Sequence, residues 1–221
     1  NSNQQLPSHG IDGIIAPFAS PEEARRLIPS NIPAVLSFYS KMDNSYSPTI
    51  VGDYNNLGIT AAEYFLNRGF RRYAYCGFAD KFWSRLNGDA FIAEIRKKGL
   101  KSYRYKCPRH EKEGSWFDDR QEISKWLFSL PKPIAIMACN DDRSENILES
   151  CKMAGLHVPE EVAVLGSDND DLICDLSIPS LSSVPYNYEK AGFEAAKRLD
   201  ELMKNKNENK KKNIIIRPMP V

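Results

Sequence analysis

Four polar segments of this 221-residue sequence carry side chains that could bind or transform a ligand. They are Asp80–Arg85, Glu113–Trp116, Asn140–Arg143 and Asp168–Asp171, and each follows an apolar run typical of a strand. Together they supply carboxylates that accept hydrogen bonds, a guanidinium and amides that donate them, and indole rings. These groups suit a neutral polyol, because an indole face can also cover the C–H side of a sugar ring.

Each of these groups also has a purely structural alternative. Asn140 and Asp141 could cap the helix that they begin, and Asp168 and Asp171 could be caps or ordinary loop carboxylates. The two tryptophans of these segments could belong to the core. The aspartate-rich segment could instead bind a hard cation, as in metal-dependent α/β enzymes. A small-molecule pocket is favoured because four such segments are expected at one edge of the same sheet.

The common signatures of catalysis are absent from the sequence. It contains no GxSxG nucleophile motif, no GxxxxGKS/T phosphate loop, no GxGxxG dinucleotide motif and no HExxH zinc motif. Its three histidines, His9, His110 and His157, lie in polar, turn-like contexts without a Cys or Ser motif. We therefore expect no catalytic residue, no metal ion and no cofactor, and we predict that the chain is not an enzyme.

Short apolar runs alternate with longer amphipathic runs, which predicts an α/β fold with parallel sheets flanked by helices. The predicted strands are Ile11–Ile15, Ala34–Ser37, Tyr73–Cys76, Ser102–Cys107, Ile134–Ala138 and Val162–Leu165. The predicted helices are Pro21–Ile28, Asn56–Arg68, Ser84–Lys98, Asp118–Ser129, Asp141–Ala154 and Asn187–Lys204. Because ligands bind outside the carboxyl ends of parallel strands, the polar segments should meet at that edge.

The composition indicates an ordinary globular protein, with 42% hydrophobic residues, 27% charged residues and a net charge of +1. A charge this close to zero gives no overall field that attracts nucleic acid or an anionic membrane. No apolar run is long enough to span a bilayer. The five cysteines form no CxxC pair, which is typical of reduced thiols in a cytoplasm. We therefore predict a cytoplasmic location and no membrane partner.

An ordered series of short motifs resembles the effector-binding core of LacI/GalR-type bacterial transcriptional regulators, which are related in fold to periplasmic sugar-binding proteins. The series covers nearly the whole chain and consists of Ile11–Ile15, Ile32–Leu36, Val51–Gly58, Gly69–Gly77, Ser84–Gly88, Pro133–Asp141, Gly155–Asp168 and Pro179–Val184. Within this family the sequence looks most like the xylose-operon regulators. That narrower likeness rests on Lys81 with Trp83, Asp142–Arg143, Asn146–Cys151 and Asp168–Leu172.

The resemblance implies a periplasmic-binding-protein-like fold of two lobes that binds a sugar effector, with a pentose such as xylose expected, in the cleft between them. Closure of the lobes would change how a separate DNA-binding domain is held. The ligand-binding residues that it implies are Trp83, Arg85, Trp116, Asn140, Asp141 and Asp168. A xylose-type alignment places the family's arginine near Asn87 instead of Arg85.

By the family's pattern, one lobe comprises residues 1–50 with 187–208, and the other comprises 53–184 with 213–221. The family's first lobe begins with a further βαβ unit of about 30 residues, so we expect this lobe to be incomplete at its start. We expect no helix-turn-helix ahead of residue 1. We expect a fragment that reaches DNA only through a domain it does not contain, and a homodimer in the full-length protein.

Three functions remain open from the sequence. The first is a sugar-sensing domain of a cytoplasmic transcription regulator. The second is a transporter-type sugar-binding protein, which has the same fold. The third is an α/β enzyme that uses the Asp168–Asp171 segment with a metal. Unpaired cysteines and the Gly69–Arg72 motif favour the regulator.

Overall fold

The computed structural model of the chain describes Leu6 and residues 9–18, 20–38, 47–105, 116–204 and 213–221. The chain divides into two compact units. The first unit comprises Asn1–Asp53 with Asn187–Arg217, and the second comprises Tyr54–Tyr186 with Pro218–Val221. In the part of the chain that is described, no helix combines the length and apolar character needed to cross a membrane.

Helices and strands alternate along the described chain. In order they are β1 (Ile14–Phe18), α1 (Pro21–Leu27), β2 (Ala34–Phe38), β3 (Ile50–Gly52), α2 (Tyr54–Asn67), β4 (Arg72–Cys76), α3 (Phe82–Lys97), β5 (Lys101–Arg104), α4 (Trp116–Ser129), β6 (Ile134–Ala138), α5 (Asp141–Ala154), β7 (Val162–Asp168), α6 (Asp171–Leu176), β8 (Ser182–Pro185), α7 (Tyr188–Lys204) and β9 (Ile214–Ile216). This confirms the predicted α/β class with parallel sheets.

The second unit contains a five-stranded parallel sheet in the order β5-β4-β6-β7-β8. All five residues of its central strand β6 are buried. Successive residues of the strands alternate between two apolar clusters, because side chains of a strand point to opposite faces. One cluster contains Leu57 and Phe91 of α2 and α3, and the other contains Ile123 and Ile147 of α4 and α5. Helices therefore cover both faces, and polar groups at the sheet's ends are left to form sites.

Helices α2 and α3 touch at Gly58, where their backbones come close. A Cβ atom placed on Gly58 would lie 2.1 Å from the backbone oxygen of Asn87 and 2.8 Å from the backbone nitrogen of Phe91. Real Cβ atoms do not approach backbone atoms at such distances, so glycine is required here. This contact fixes α3, whose first turn carries Trp83 and Arg85.

The first unit contains two parallel pairs of strands, β1 with β2 and β3 with β9. Helix α1 begins at a cap where the Ser20 hydroxyl accepts a hydrogen bond from the Glu23 amide at 3.2 Å. Helix α7 packs the buried side chains of Ala195, Leu199 and Leu202 against Val35 of β2.

The placement of the last strand differs from our expectation. We assigned residues 213–221 to the C-terminal lobe, but β9 pairs with β3 and belongs to the first unit, and only Pro218–Val221 belongs to the second. The pairing follows from composition, since three consecutive isoleucines favour strand, and β3 offers a parallel edge. The short elements β3, α6 and β8 were not predicted. The predicted end of the strand that began at Ser102, including Cys107, lies outside the described residues.

Candidate functional site

The carboxyl ends of strands β4, β6 and β7 are tied together by hydrogen bonds. The Cys139 amide donates to the Cys76 carbonyl at 3.0 Å, and the Ser167 hydroxyl donates to the Cys139 carbonyl at 2.7 Å. Ser167 is fully buried. These bonds hold the three strand ends in a fixed register, so the polar residues that follow each strand form one continuous edge. We call this region the carboxyl edge.

An aromatic cluster lies where β4 ends. The rings of Phe78 and Trp83 meet edge to face with centroids 6.2 Å apart. The guanidinium carbon of Arg143 lies 4.3 Å from the centroid of the Phe78 ring, which is the geometry of a cation–π contact. Trp83 is half-buried, so part of its indole remains available at the edge.

Phe78 and Arg143 were not among the predicted site residues. Arg143 is only 1% exposed and its Nη1 donates to Asp119 Oδ2 at 2.5 Å, which forms a buried ion pair. The sequence contained a signal for Arg143. An arginine in the first turn of a helix lies at the end that favours acidic side chains, so its presence there calls for another reason. Phe78 could have been found from its position two residues after a buried strand.

Arg85 lies exposed on the first turn of α3. Its Nη1 donates to the Ala79 carbonyl at 3.1 Å, which leaves its other nitrogen donors to solvent or a ligand. Asn87, the competing position, is 1% exposed and buried between α3 and the sheet, where its oxygen accepts from the Tyr75 hydroxyl at 2.5 Å. Of the two positions, Arg85 is the one that presents polar atoms at the surface.

Asn140 caps helix α5. Its Oδ1 accepts from the Arg143 amide at 3.1 Å, and its Nδ2 donates to Asp142 Oδ2 at 3.2 Å. The capping role that we considered as an alternative is therefore present. The side chain is half-buried at the carboxyl edge, so capping fixes its position there.

Asp141 is buried, with 1% of its surface exposed, and its carboxylate is engaged by the protein itself. Oδ1 accepts from the Ser183 hydroxyl at 2.6 Å, and Oδ2 accepts from the Asp170 amide at 2.8 Å and from the Cys174 thiol at 3.7 Å. Burial raises the pKa of this carboxyl group, and the hydrogen bonds from Ser183 and Asp170 oppose that increase. In this arrangement Asp141 orders the chain after β7 and does not present its oxygens at the surface.

Asp168 ends β7 with an unusual backbone conformation. Its φ is 121°, and Asn169 follows with a φ of 57°, both in a region that side chains other than glycine rarely occupy. The Asn169 amide donates to the Ser183 hydroxyl at 3.1 Å, which anchors the turn. Strained backbone persists only where the surrounding structure holds it in place. It is often found at functional sites. The half-buried Asp168 side chain lies beside this turn.

The remaining predicted residue, Trp116, begins α4, and its side chain lies outside the described residues, as does the loop that precedes it. The structure thus places Trp83, Arg85, Asn140, Asp141 and Asp168 on elements that end or begin at the carboxyl edge. What the edge offers chemically is hydrogen bonding beside aromatic surface. That combination of groups suits a polyol.

The aspartate-rich segment does not assemble a metal site among the described residues, where no group of three His, Cys, Asp or Glu side chains converges. Asp170 caps α6, since its Oδ1 accepts from the amides of Leu172 and Ile173 at 3.0 and 3.1 Å. Four cysteines of the described chain are buried free thiols. Burial raises the pKa of Cys139 and of Cys151 to about 12, so both stay protonated at neutral pH.

The chain is similar to known proteins over most of its length. Residues 62–221 match the model of the family described as the periplasmic binding protein-like domain. The xylose operon regulatory protein of Haemophilus influenzae is 34% identical over 199 residues, which are 87% of this chain and 51% of that protein. The xylose operon regulatory protein of Escherichia coli K12 is 29% identical over 216 residues, or 95% of this chain and 55% of that protein.

A solved structure of the xylose-binding transcription activator XylR superposes with a TM-score of 0.81 at 28% identity. The match covers 94% of this chain and 56% of that one. This chain therefore spans about half the length of the curated relatives that it matches.

Proposed function

Because this chain belongs to the periplasmic binding protein-like family, as an effector-binding domain of the LacI/GalR type, we propose that it senses a sugar for a transcription regulator. The expected effector is a pentose such as xylose. Support for this sugar comes from the relatives named xylose operon regulatory protein, one of them 34% identical. In the full-length protein, sugar binding would alter how a DNA-binding domain outside these 221 residues is held.

The observation that carries the proposal is the meeting of polar and aromatic groups at the carboxyl edge. Asp168 offers carboxylate oxygens from a fixed, strained turn, Arg85 offers guanidinium donors, and Trp83 offers an indole surface. A carboxylate accepts from two neighbouring sugar hydroxyls, while a guanidinium donates to adjacent oxygens. The entropy cost of binding a ring is lower where the contacting groups are already fixed, as Asp168 is by the bond from Asn169 to Ser183 and Asn140 by its capping bonds.

The six sequence-derived residues take different roles in this proposal. Arg85, Asp168 and Trp83 are direct sugar contacts, and Asn140 is a contact positioned by its capping bonds. Trp116 stays a proposed ring-stacking residue on the strength of the family resemblance alone. For Asp141, burial and three internal donors make support of the Asp168 turn the better proposal.

Further properties of the whole protein belong to the same proposal. A regulator that reads a sugar and acts on DNA works in the cytoplasm, carries out no catalysis and needs no cofactor, metal or membrane partner. The full-length protein is proposed to be a homodimer. A transporter-type role would use the same fold, but the curated relatives at 34% and 29% identity are named as regulators.

The test is calorimetric titration of the full-length protein with D-xylose and a panel of other pentoses. We expect saturable binding of one pentose, and we expect Asp168→Asn to weaken it at least tenfold, because a hydrogen bond to a charged group contributes about 1.5–3 kcal/mol. Asparagine keeps the size of the side chain and tolerates positive φ. The variant should therefore unfold at the same temperature as the wild type.

Asp175→Asn is the matched control, since Asp175 is an exposed carboxylate of α6 that is not among the proposed sugar contacts. Its pentose affinity should equal that of the wild type. Unchanged affinity in Asp168→Asn would remove Asp168 from the site, and the absence of binding by any sugar would refute the proposed effector class.

A further inference from the structure

The amino edge of the second unit's sheet, where β4, β5 and β6 begin, contains a cavity of about 750 Å³. Four cationic residues line it, namely Arg68, Arg71, Arg72 and Lys101. Phe70 and Tyr103 contribute aromatic surface to the same cavity. Strands of a parallel sheet begin at the edge opposite to the one where they end, so this cavity is separate from the carboxyl edge.

Two of the four cations are held in place by uncharged groups. The Arg68 guanidinium lies over the Tyr64 ring, 3.4 Å from its centroid, and its Nη1 donates to the Tyr64 carbonyl at 3.2 Å. Arg72 Nη1 donates to the Lys132 carbonyl at 2.7 Å. Both positive charges are thus fixed at the cavity without being neutralised.

No ion pair between any of these four residues and a carboxylate occurs in the described part of the chain. The sheet register also makes Arg72 and Lys101 direct neighbours across β4 and β5. Like charges on adjacent strands repel each other and destabilise the pair. An anion between them would remove that repulsion.

The C-terminal ends of two helices offset only part of the positive charge of these four residues. Helices α2 and α3 end beside the cavity, where Gly69 and Gly99 take positive φ values after their last turns. Each helix C-terminus carries the equivalent of about −0.5 of an elementary charge. Two such ends offset about one of the four positive charges, which leaves a net charge of about +3.

We propose that this cavity binds a small organic molecule that carries phosphate groups. Guanidinium groups match phosphate oxygens in pairs, which makes arginine suited to this ligand. The volume falls within the range of about 300–1,000 Å³ that small-molecule pockets occupy. Phe70 and Tyr103 would pack against the apolar part of the ligand, so a nucleotide-like compound fits better than a bare inorganic anion.

The experiment uses full-length protein and compares three probes by calorimetry at fixed ionic strength: adenosine diphosphate, inorganic pyrophosphate and a short DNA duplex of random sequence. The test variant is the double substitution Arg71→Glu with Lys101→Glu, because neither side chain holds another group of the fold in place. The control is Lys152→Glu with Lys190→Glu, which makes the same charge change at two exposed lysines elsewhere.

We expect the wild type to bind adenosine diphosphate more tightly than pyrophosphate, and the test variant to bind it at least about tenfold more weakly. The control variant should keep wild-type affinity, and pentose affinity should be the same in all three proteins. Retained pentose binding separates this outcome from a failure of the proposed sugar site.

Three results would overturn the proposal. The first is no measurable binding of adenosine diphosphate to the wild type. The second is equal weakening in the test and control variants, which would mean a response to net charge alone. The third is that the wild type binds the DNA duplex more tightly than adenosine diphosphate and that the test variant loses this binding. That result would identify the cavity as a nucleic-acid contact.

Discussion

Charged side chains at the two edges of the second unit's sheet differ in whether the protein supplies them with partners. At the carboxyl edge, the Arg143 guanidinium pairs with Asp119, and the Asp141 carboxylate accepts from Ser183 and Asp170. At the amino edge, Arg68, Arg71, Arg72 and Lys101 line a cavity, and no described carboxylate pairs with them.

Burial explains this difference. Arg143 and Asp141 are each 1% exposed, and a charge removed from water is tolerated only when partners replace the water. The cations of the amino edge are exposed, so water solvates them and no carboxylate partner is needed. The buried charges at the carboxyl edge, Arg143 and Asp141, therefore maintain the fold around a site. The exposed cations at the amino edge remain available to an external ligand.

Among the substitutions that test this contrast, Arg143→Met should lower the free energy of unfolding the most. Methionine has a similar length and keeps apolar contact with Phe78, but it leaves Asp119 without its buried partner. Breaking a buried ion pair by removing one partner costs about 3–5 kcal/mol. Urea unfolding of the second unit should show a loss of this size.

Arg104→Met is the matched control for that change. Arg104 pairs with Asp89 at 2.6 Å, and the two side chains are 36% and 67% exposed. Such an exposed pair contributes about 0.2–1 kcal/mol. If both substitutions cost the same free energy of unfolding, the contrast between paired buried charge and solvated charge fails.

An intermediate effect is expected for Asp141→Asn. The amide keeps the shape but presents one oxygen where two accept hydrogen bonds, so the Asp170 amide or the Ser183 hydroxyl loses its acceptor. An unsatisfied buried group costs about 1–3 kcal/mol. Measured at neutral pH, the free energy of unfolding should fall by that amount.

The same residue makes a pH-dependent contribution with a definite sign. Burial raises the pKa of Asp141 in the folded state above its value in the unfolded chain. The folded protein therefore binds this proton more tightly, and the contribution is fully present below the unfolded pKa and is lost as the pH rises through the folded pKa. As the pH is lowered from neutral to 4, the free energy of unfolding of the wild type should increase relative to that of Asp141→Asn. A difference between the two proteins that does not change with pH would contradict a buried carboxylate.

Lys101→Gln, at the amino edge, should change the free energy of unfolding the least. Removing an exposed cation beside Arg72 relieves repulsion, so the free energy of unfolding should stay within about 0.5 kcal/mol of the wild type and shift toward stability. Thermal unfolding at low salt measures the change, and added salt should abolish it because salt screens the repulsion. A loss of more than 1 kcal/mol would mean that Lys101 supports the fold after all.

Sequence patterns were sufficient for elements whose signals are local. Helix α5 was predicted at Asp141–Ala154 and found there, because Asn140 caps its start and Gly155 ends it at a φ of 66°. Strand β6 was likewise found at Ile134–Ala138. The three-residue strand β3 escaped prediction, since its pairing with β9 joins residues about 160 positions apart and leaves no local pattern.

The candidate site was predicted less completely than the fold. The polar types after each strand identified the carboxyl edge, but residue type alone does not distinguish a carboxylate that faces a ligand from one that is buried. Asp141 and Asp168 are both aspartates next to strand ends, yet Asp141 has three internal donors and Asp168 lies half-buried at a strained turn. That distinction depends on tertiary neighbours such as Ser183, which is 42 residues from Asp141.

The close contact at Gly58 has a practical value for experiments on this molecule. Because α2 and α3 meet backbone to backbone there, their separation cannot change without breaking the packing. Two spectroscopic labels on the outward faces of these helices would thus report a constant distance, and they supply an internal ruler. Any distance change seen from one of those labels to a third position could then be assigned to the third position.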